Sequence, residues 1–183
     1  MRNSKGFTLV ELAVVLVIIG IILGAVIKGN DLIENAKVKG VIQAPTKWEV
    51  PIMTYYDKKG YFPGDTATPR DGLIDTFAAL KTALDAESIA YPADMISDVT
   101  FDIKGLPNVC GLTATVSRNI MLIKNVPLAT AKQLDTSIDG QDNPDKGRIR
   151  YCGVDGDSTV SGTATWPTAD PISVVYLFDK TIP

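Results

Sequence analysis

From Phe7 to Ile27 the chain runs 21 residues with a single ionisable side chain, Glu11. At ~1.5 Å per residue such a helix is about 31 Å long, which matches a hydrocarbon core of ~30 Å, so the segment is predicted to span a bilayer. Arg2 and Lys5 precede it, with no acidic residue before Phe7. The positive-inside bias therefore keeps the short head cytoplasmic and sends the long remainder across, N-in and C-out. Insertion scales put a charged residue near mid-membrane at roughly 2.5 to 3.5 kcal/mol unfavourable, less towards the interface where Glu11 begins. An unpaired carboxylate there implies a partner inside the membrane.

The residues Gly6-Phe7-Thr8-Leu9-Val10-Glu11-Leu12, followed by the apolar run Ala13 to Ile27, resemble the start of the type IV prepilins and the related pseudopilins of type II secretion. The resemblance covers about the first 30 residues. It implies that a membrane-embedded aspartyl peptidase, the prepilin peptidase, cuts after Gly6 and N-methylates the new first residue, Phe7. It also implies that Glu11, four residues beyond Phe7, attracts the amino terminus of a neighbouring subunit during filament assembly. Cleavage creates an α-amino group at Phe7, and in a low-dielectric setting that cation and the Glu11 carboxylate of an adjacent subunit compensate each other's desolvation. The partners implied are other pilin subunits in a homo-polymer, the inner-membrane assembly platform, and the lipid bilayer before assembly.

Two plainer readings compete. A secretory signal peptide has a basic head, but its apolar core is usually ~7 to 15 residues followed by a small-residue cleavage site, and a Glu near its start is out of place. A plain single-pass anchor explains length and orientation but leaves Glu11 and the Gly6-Phe7 junction as coincidences.

At 183 residues, a membrane-length helix leaves room for one globular domain of ordinary size. The expected organisation is a leader at 1–6, a transmembrane or filament-core helix at 7–27, and a periplasmic or extracellular head at 28–183. The formal net charge is −3, and loss of Arg2 and Lys5 with the leader takes it to −5 (16 basic against 21 acidic side chains), so no nucleic-acid partner is expected. Histidine is absent, which removes the commonest metal ligand and general base, and two cysteines alone do not make a four-ligand zinc site. No cofactor is expected. No nucleophile with a base, phosphate loop or metal spacing stands out, so an enzyme is the weakest class. Cys110 and Cys152, the two cysteines, fall in a domain that the topology places outside the cytoplasm, where one bridge between them would persist. Two buried thiols that never meet are the alternative.

Helical spacing continues past the membrane span through Ile33, Ala36, Gly40, Ala44, Trp48, Ile52 and Tyr55. The helix is predicted to end near residue 58, with kinks at Pro45 and Pro51 and a turn from Gly60 to Asp65. Family members often carry a proline just after the apolar run; here Lys28 stands there. A short helix with Leu73, Ile74, Phe77, Leu80 and Leu84 on its face is expected next. Strand candidates are Val99 to Ile103, Val109 to Val116, Ile120 to Val126, Arg148 to Cys152 and Val174 to Phe178, with helical spacing between Pro127 and Ile138. A long helix followed by short strands argues for an α+β fold, an antiparallel β-sheet head laid on a long N-terminal helix.

Asp135, Asp139, Asp142 and Asp145, and separately Asp155 with Asp157, have spacing that can hold Ca²⁺, although neither group matches an EF-hand. Asp, Asn and Gly favour turns for their own reasons, so turn chemistry is the stronger expectation. Trp48, Tyr55, Tyr56, Tyr61 and Phe62 read as core and helix-end packing ahead of a ligand platform. The expectation is a filament subunit. The alternatives are a minor pseudopilin of a type II secretion system or, in another class, a membrane-anchored extracellular binding module.

Overall fold

The computed structural model describes residues 6–106, 117–151 and 165–178. The chain divides into two compact units that meet in sequence at Val38 and Lys39. Helix α1 (Leu9–Lys59) contributes to both. Its stretch near the N-terminus is long and apolar enough to cross a membrane. There the apolar side chains are exposed all round, including Leu16, Val17, Ile21 and Leu23.

In the second unit α1 acquires a buried stripe at Val41, Ala44, Pro45, Trp48, Pro51, Ile52 and Tyr55. Steps of three and four put these residues on one side of the helix. The expected face is corrected at its start: Ile33 and Ala36 are exposed. The stripe exists only where the head supplies apolar partners. Helical structure persists through Pro45 and Pro51, which join the buried stripe. The helix stops at Gly60, whose φ of +80° places it in the left-handed region and whose N–H donates to Tyr56 O at 2.7 Å.

Helix α2 (Phe77–Ala86) is shorter than expected at its start. Thr76 is extended and its hydroxyl accepts the Ala79 N–H at 3.1 Å, which fixes the N-cap, so Leu73 and Ile74 precede the helix. Ile74 is nevertheless buried. The Asn119 side chain accepts its N–H at 2.8 Å and donates to Gly72 O at 2.9 Å, pinning that loop to the sheet.

Among the described residues, β1 (Met95–Ile96), β2 (Val99–Leu106), β3 (Arg118–Val126), β4 (Ile149–Tyr151) and β5 (Ile172–Leu177) form one antiparallel sheet in the order β1-β2-β3-β5-β4. Helix α3 (Leu128–Asp139) lies between β3 and β4 in sequence. This is the expected α+β architecture. Sequence patterning did not find β1, and the candidate strand Val109 to Val116 lies outside the described residues.

The registers align two apolar rungs on one sheet face: Ile103, Met121, Tyr176 and Ile149, then Phe101, Ile123, Val174 and Tyr151. These residues share one core with Trp48, Ile52 and Tyr55 of α1, Leu80 and Leu84 of α2, and Ala131 and Leu134 of α3. The opposite face carries a smaller cluster of Ile120, Leu122, Val175 and Leu177. Strand β3 is therefore buried on both sides, which is why Ile120 to Ile123 read as a continuous apolar run rather than an alternation.

Candidate functional site

Residues 6–8 precede α1 in non-helical conformation, and Gly6 and Phe7 are exposed. A peptide bond held in a helix must unwind before a peptidase can bind it in extended form; the Gly6–Phe7 bond needs no such step. Thr8 caps α1. Its carbonyl receives the first helical bond, from Leu12 N at 3.2 Å, and its hydroxyl accepts the Glu11 N–H at 3.3 Å. In return Oε2 of Glu11 accepts from the Thr8 N–H and hydroxyl, both at 2.8 Å. This is a capping box, Thr8-Leu9-Val10-Glu11, in which two amides at a helix start are satisfied reciprocally.

Both bonds use one carboxylate oxygen, and among the described residues Oε1 of Glu11 has no partner. Every atom of the box belongs to Thr8 or Glu11, so loss of residues 1–6 leaves it intact. The arrangement presents a preoriented carboxylate with a free oxygen at the start of an apolar helix. Sequence reasoning assigned Glu11 without seeing the cap, although the [Ser/Thr]-x-x-Glu spacing before an apolar run was sufficient to find it.

The first acidic group is organised around turns. Asp135 accepts the Asn143 N–H at 2.7 Å, and Asp139 accepts the Arg148 and Ile149 N–H groups, both at 2.8 Å. Asp142 accepts from the Trp166 indole. Among the described residues no group of three or more acidic or sulfur side chains is arranged to hold a metal ion. Asp155 and Asp157 lie outside the described residues, as do Cys110 and Cys152.

The aromatic residues act in packing. Trp48 is fully buried, edge-on to Phe77 at 5.2 Å and stacked on Tyr91 at 5.5 Å. Tyr55 meets Tyr61, and Tyr56 meets Phe62, across the end of α1. Burial and its neighbour Tyr61 push the Tyr55 hydroxyl up to about 12. A further anchor of α1 was not visible in the sequence: Glu49 accepts the Tyr176 hydroxyl at 3.0 Å and pairs with Arg148 at 3.4 Å. Its partners are 99 and 127 residues away in sequence, so no local pattern reveals them.

Residues 1–27 match the family described as the prokaryotic N-terminal methylation motif. No curated protein and no solved structure matches the chain. This match supports a class III signal peptide of the kind found in type IV prepilins and pseudopilins, and with it a pilin-like or pseudopilin subunit.

Proposed function

We propose that this chain is a structural subunit of a type IV pilus or pilus-like filament. In this reading it is held in the inner membrane as a prepilin, N-in and C-out, cut after Gly6, N-methylated at Phe7 and then polymerised. The observation that carries the reading is the pairing of an open Gly6–Phe7 junction with the capped carboxylate of Glu11 at the head of an otherwise apolar helix. Lipid or neighbouring subunits are the only environments that cover the exposed apolar surface between Leu9 and Ile27 without cost. The α-amino group of Phe7 on an incoming subunit supplies the cation that Glu11 lacks, and Oε1 is the oxygen available to take it. Residues 28–183 form the head, outside the cytoplasm, where Cys110 and Cys152 form one bridge.

Intact mass and N-terminal sequencing of filament protein from the native host test the processing. The expected product begins at methylated Phe7; filament protein that retains Met1 overturns it. Non-reducing peptide mapping of the same material should recover Cys110 and Cys152 in one linked peptide pair, and free thiols at both would remove the bridge.

A second reading is a minor pseudopilin of a type II secretion system; Lys28 at the position after the apolar run speaks for a minor subunit of either machine and does not separate the two. Location separates the two: sheared surface filaments support the pilus, and a short periplasmic assembly supports the pseudopilus.

A further inference from the structure

Among the described residues Asp135 is the one carboxylate with no solvent exposure. Helical spacing places it one turn before Asp139 on α3, the i and i+4 positions whose side chains meet. One oxygen, Oδ2, accepts the Asn143 N–H; the other, Oδ1, is buried without a donor among the described residues. Asp139 uses Oδ2 to accept both the Arg148 and Ile149 N–H groups. That carboxylate lies directly against Gly147, whose φ is +77° and whose missing Cβ would sit 2.3 Å from it. Only glycine fits there, so the 140–148 turn is built around the aspartate.

Among the described groups that act on Asp135 there is no cation. The last turn of α3 holds no basic residue and ends on the negative pole of the helix. The charged groups acting on Asp135 are Asp139 on its own helix and Asp142 in the turn, both acidic. Arg150 of β4 acts on Asp139 and Asp145. The guanidinium of Arg148 is directed to Leu177 O and Glu49, and β5 brings the Tyr176 hydroxyl, which donates to Glu49.

We propose that Asp135 and Asp139 share a single proton, and that this proton is a latch holding the 140–148 turn and β4 against the end of α3. A protonated Asp135 supplies the missing donor: its O–H gives to Asp139, whose Oδ2 still holds Arg148 and Ile149. Burial, reinforced by Asp139 and Asp142 and opposed by the Asn143 amide, raises the Asp135 carboxyl to about 7. The folded value lies above the ordinary 3.8, so the stabilisation is complete in acid and is lost as pH rises through about 7. Above that, the buried carboxylate of Asp135 and the half-buried one of Asp139 repel, and the turn is the part free to open. Opening loosens Arg148, and through it the Glu49 anchor on α1.

The test uses the full chain in detergent micelles with ¹³C-labelled aspartate. The Asp135 carboxyl carbon should titrate near 7, and exchange protection of the Asn143, Arg148 and Ile149 amides, corrected for intrinsic rates, should fall as pH rises from about 4 towards that midpoint, by up to about tenfold per pH unit, and level off above it. In Asp135→Asn the neutral amide keeps a donor at every pH, so that fall should disappear. A wild-type midpoint below about 5 overturns the proposal whether or not the variant folds. So does an undiminished fall in Asp135→Asn, or a shift of the Asp135 carbon on adding calcium, which would make the shared ligand a metal rather than a proton.

Discussion

The two halves of α1 are one helix by hydrogen bonding and two different objects by surface chemistry. Between Leu9 and Ile27 every large apolar side chain is exposed: Val17 at 61%, Leu23 at 57%. Between Val41 and Tyr55 a stripe is sealed, with Trp48 at 0% and Ile52 at 1%. Burying a large aliphatic or aromatic side chain is worth about 1.5 to 3 kcal/mol, so the second half is stabilised within this chain while the first half's stabilisation must come from lipid or other subunits. Two carboxylates on the helix make the same point. Glu49 has its partners in Arg148 and Tyr176 of the same chain. Among the described residues Glu11 has only Thr8, a neutral donor.

The largest expected effect comes from removing the carboxylate that lacks a cation. Glu11→Ala should leave membrane insertion and cleavage intact, because insertion becomes easier by up to the few kcal/mol assigned to a central charge. Surface filament should be lost. The Phe7 amino group of an incoming subunit would be left without countercharge, and a broken buried pair costs around 3 to 5 kcal/mol at every subunit added. Membrane content, cleavage and sheared filament yield, measured for Glu11→Ala, Glu11→Gln and wild type, check this. Normal yield from Glu11→Ala would end the assembly role and favour the anchored binding module.

A sharper cut between the halves compares two truncations. Trp48→Ala removes the ring stacked on Tyr91 and edge-on to Phe77, and should destabilise the head by about 3 to 5 kcal/mol. Leu23→Ala should move head unfolding by less than about 0.5 kcal/mol, because its side chain leaves no cavity in any core. Near-ultraviolet circular dichroism during thermal unfolding reads the head through its aromatic side chains. Equal losses from the two variants would show that the halves share one cooperative structure.

The sequence was most legible where a local period met a strong chemical constraint. The methylation motif at residues 1–27, the end of α1 at Gly60 and the centres of β2, β3 and β5 all have such signatures. It was least legible where the partner is distant. Ile33 and Ala36 fit the helical stripe, yet only the position of the head decides where burial begins. Leu73 and Ile74 fit the period of α2 but are kept out of it by the Thr76 cap and held by Asn119, 45 residues on from Ile74. The aspartates read as turn formers, and most of their bonds do serve turns. What spacing did not show is that Asp135 is sealed from solvent, since burial is a property of the packing of α3 on β4 and β5.

The smallest expected effect asks whether one capping device has different consequences in the two units. Thr76 and Thr8 are both N-caps, and each hydroxyl accepts an N–H from the third residue on, Ala79 at 3.1 Å and Glu11 at 3.3 Å. Replacing such a cap by alanine costs about 1 kcal/mol of helix stability wherever the helix folds as part of a cooperative unit. Thr76→Ala should therefore lower the head's unfolding temperature by about 2 to 4 °C, the shift expected for a domain of this size. Thr8→Ala frees the same kind of amide, but the helix start it caps belongs to a unit with no buried core of its own among the described residues. Fraying there should leave head unfolding unmoved and appear only as faster amide exchange at Glu11 and Leu12. If Thr8→Ala lowered the head transition as far as Thr76→Ala, α1 would transmit stability from its first turn to the sheet, and the division at Val38 would mark no energetic boundary.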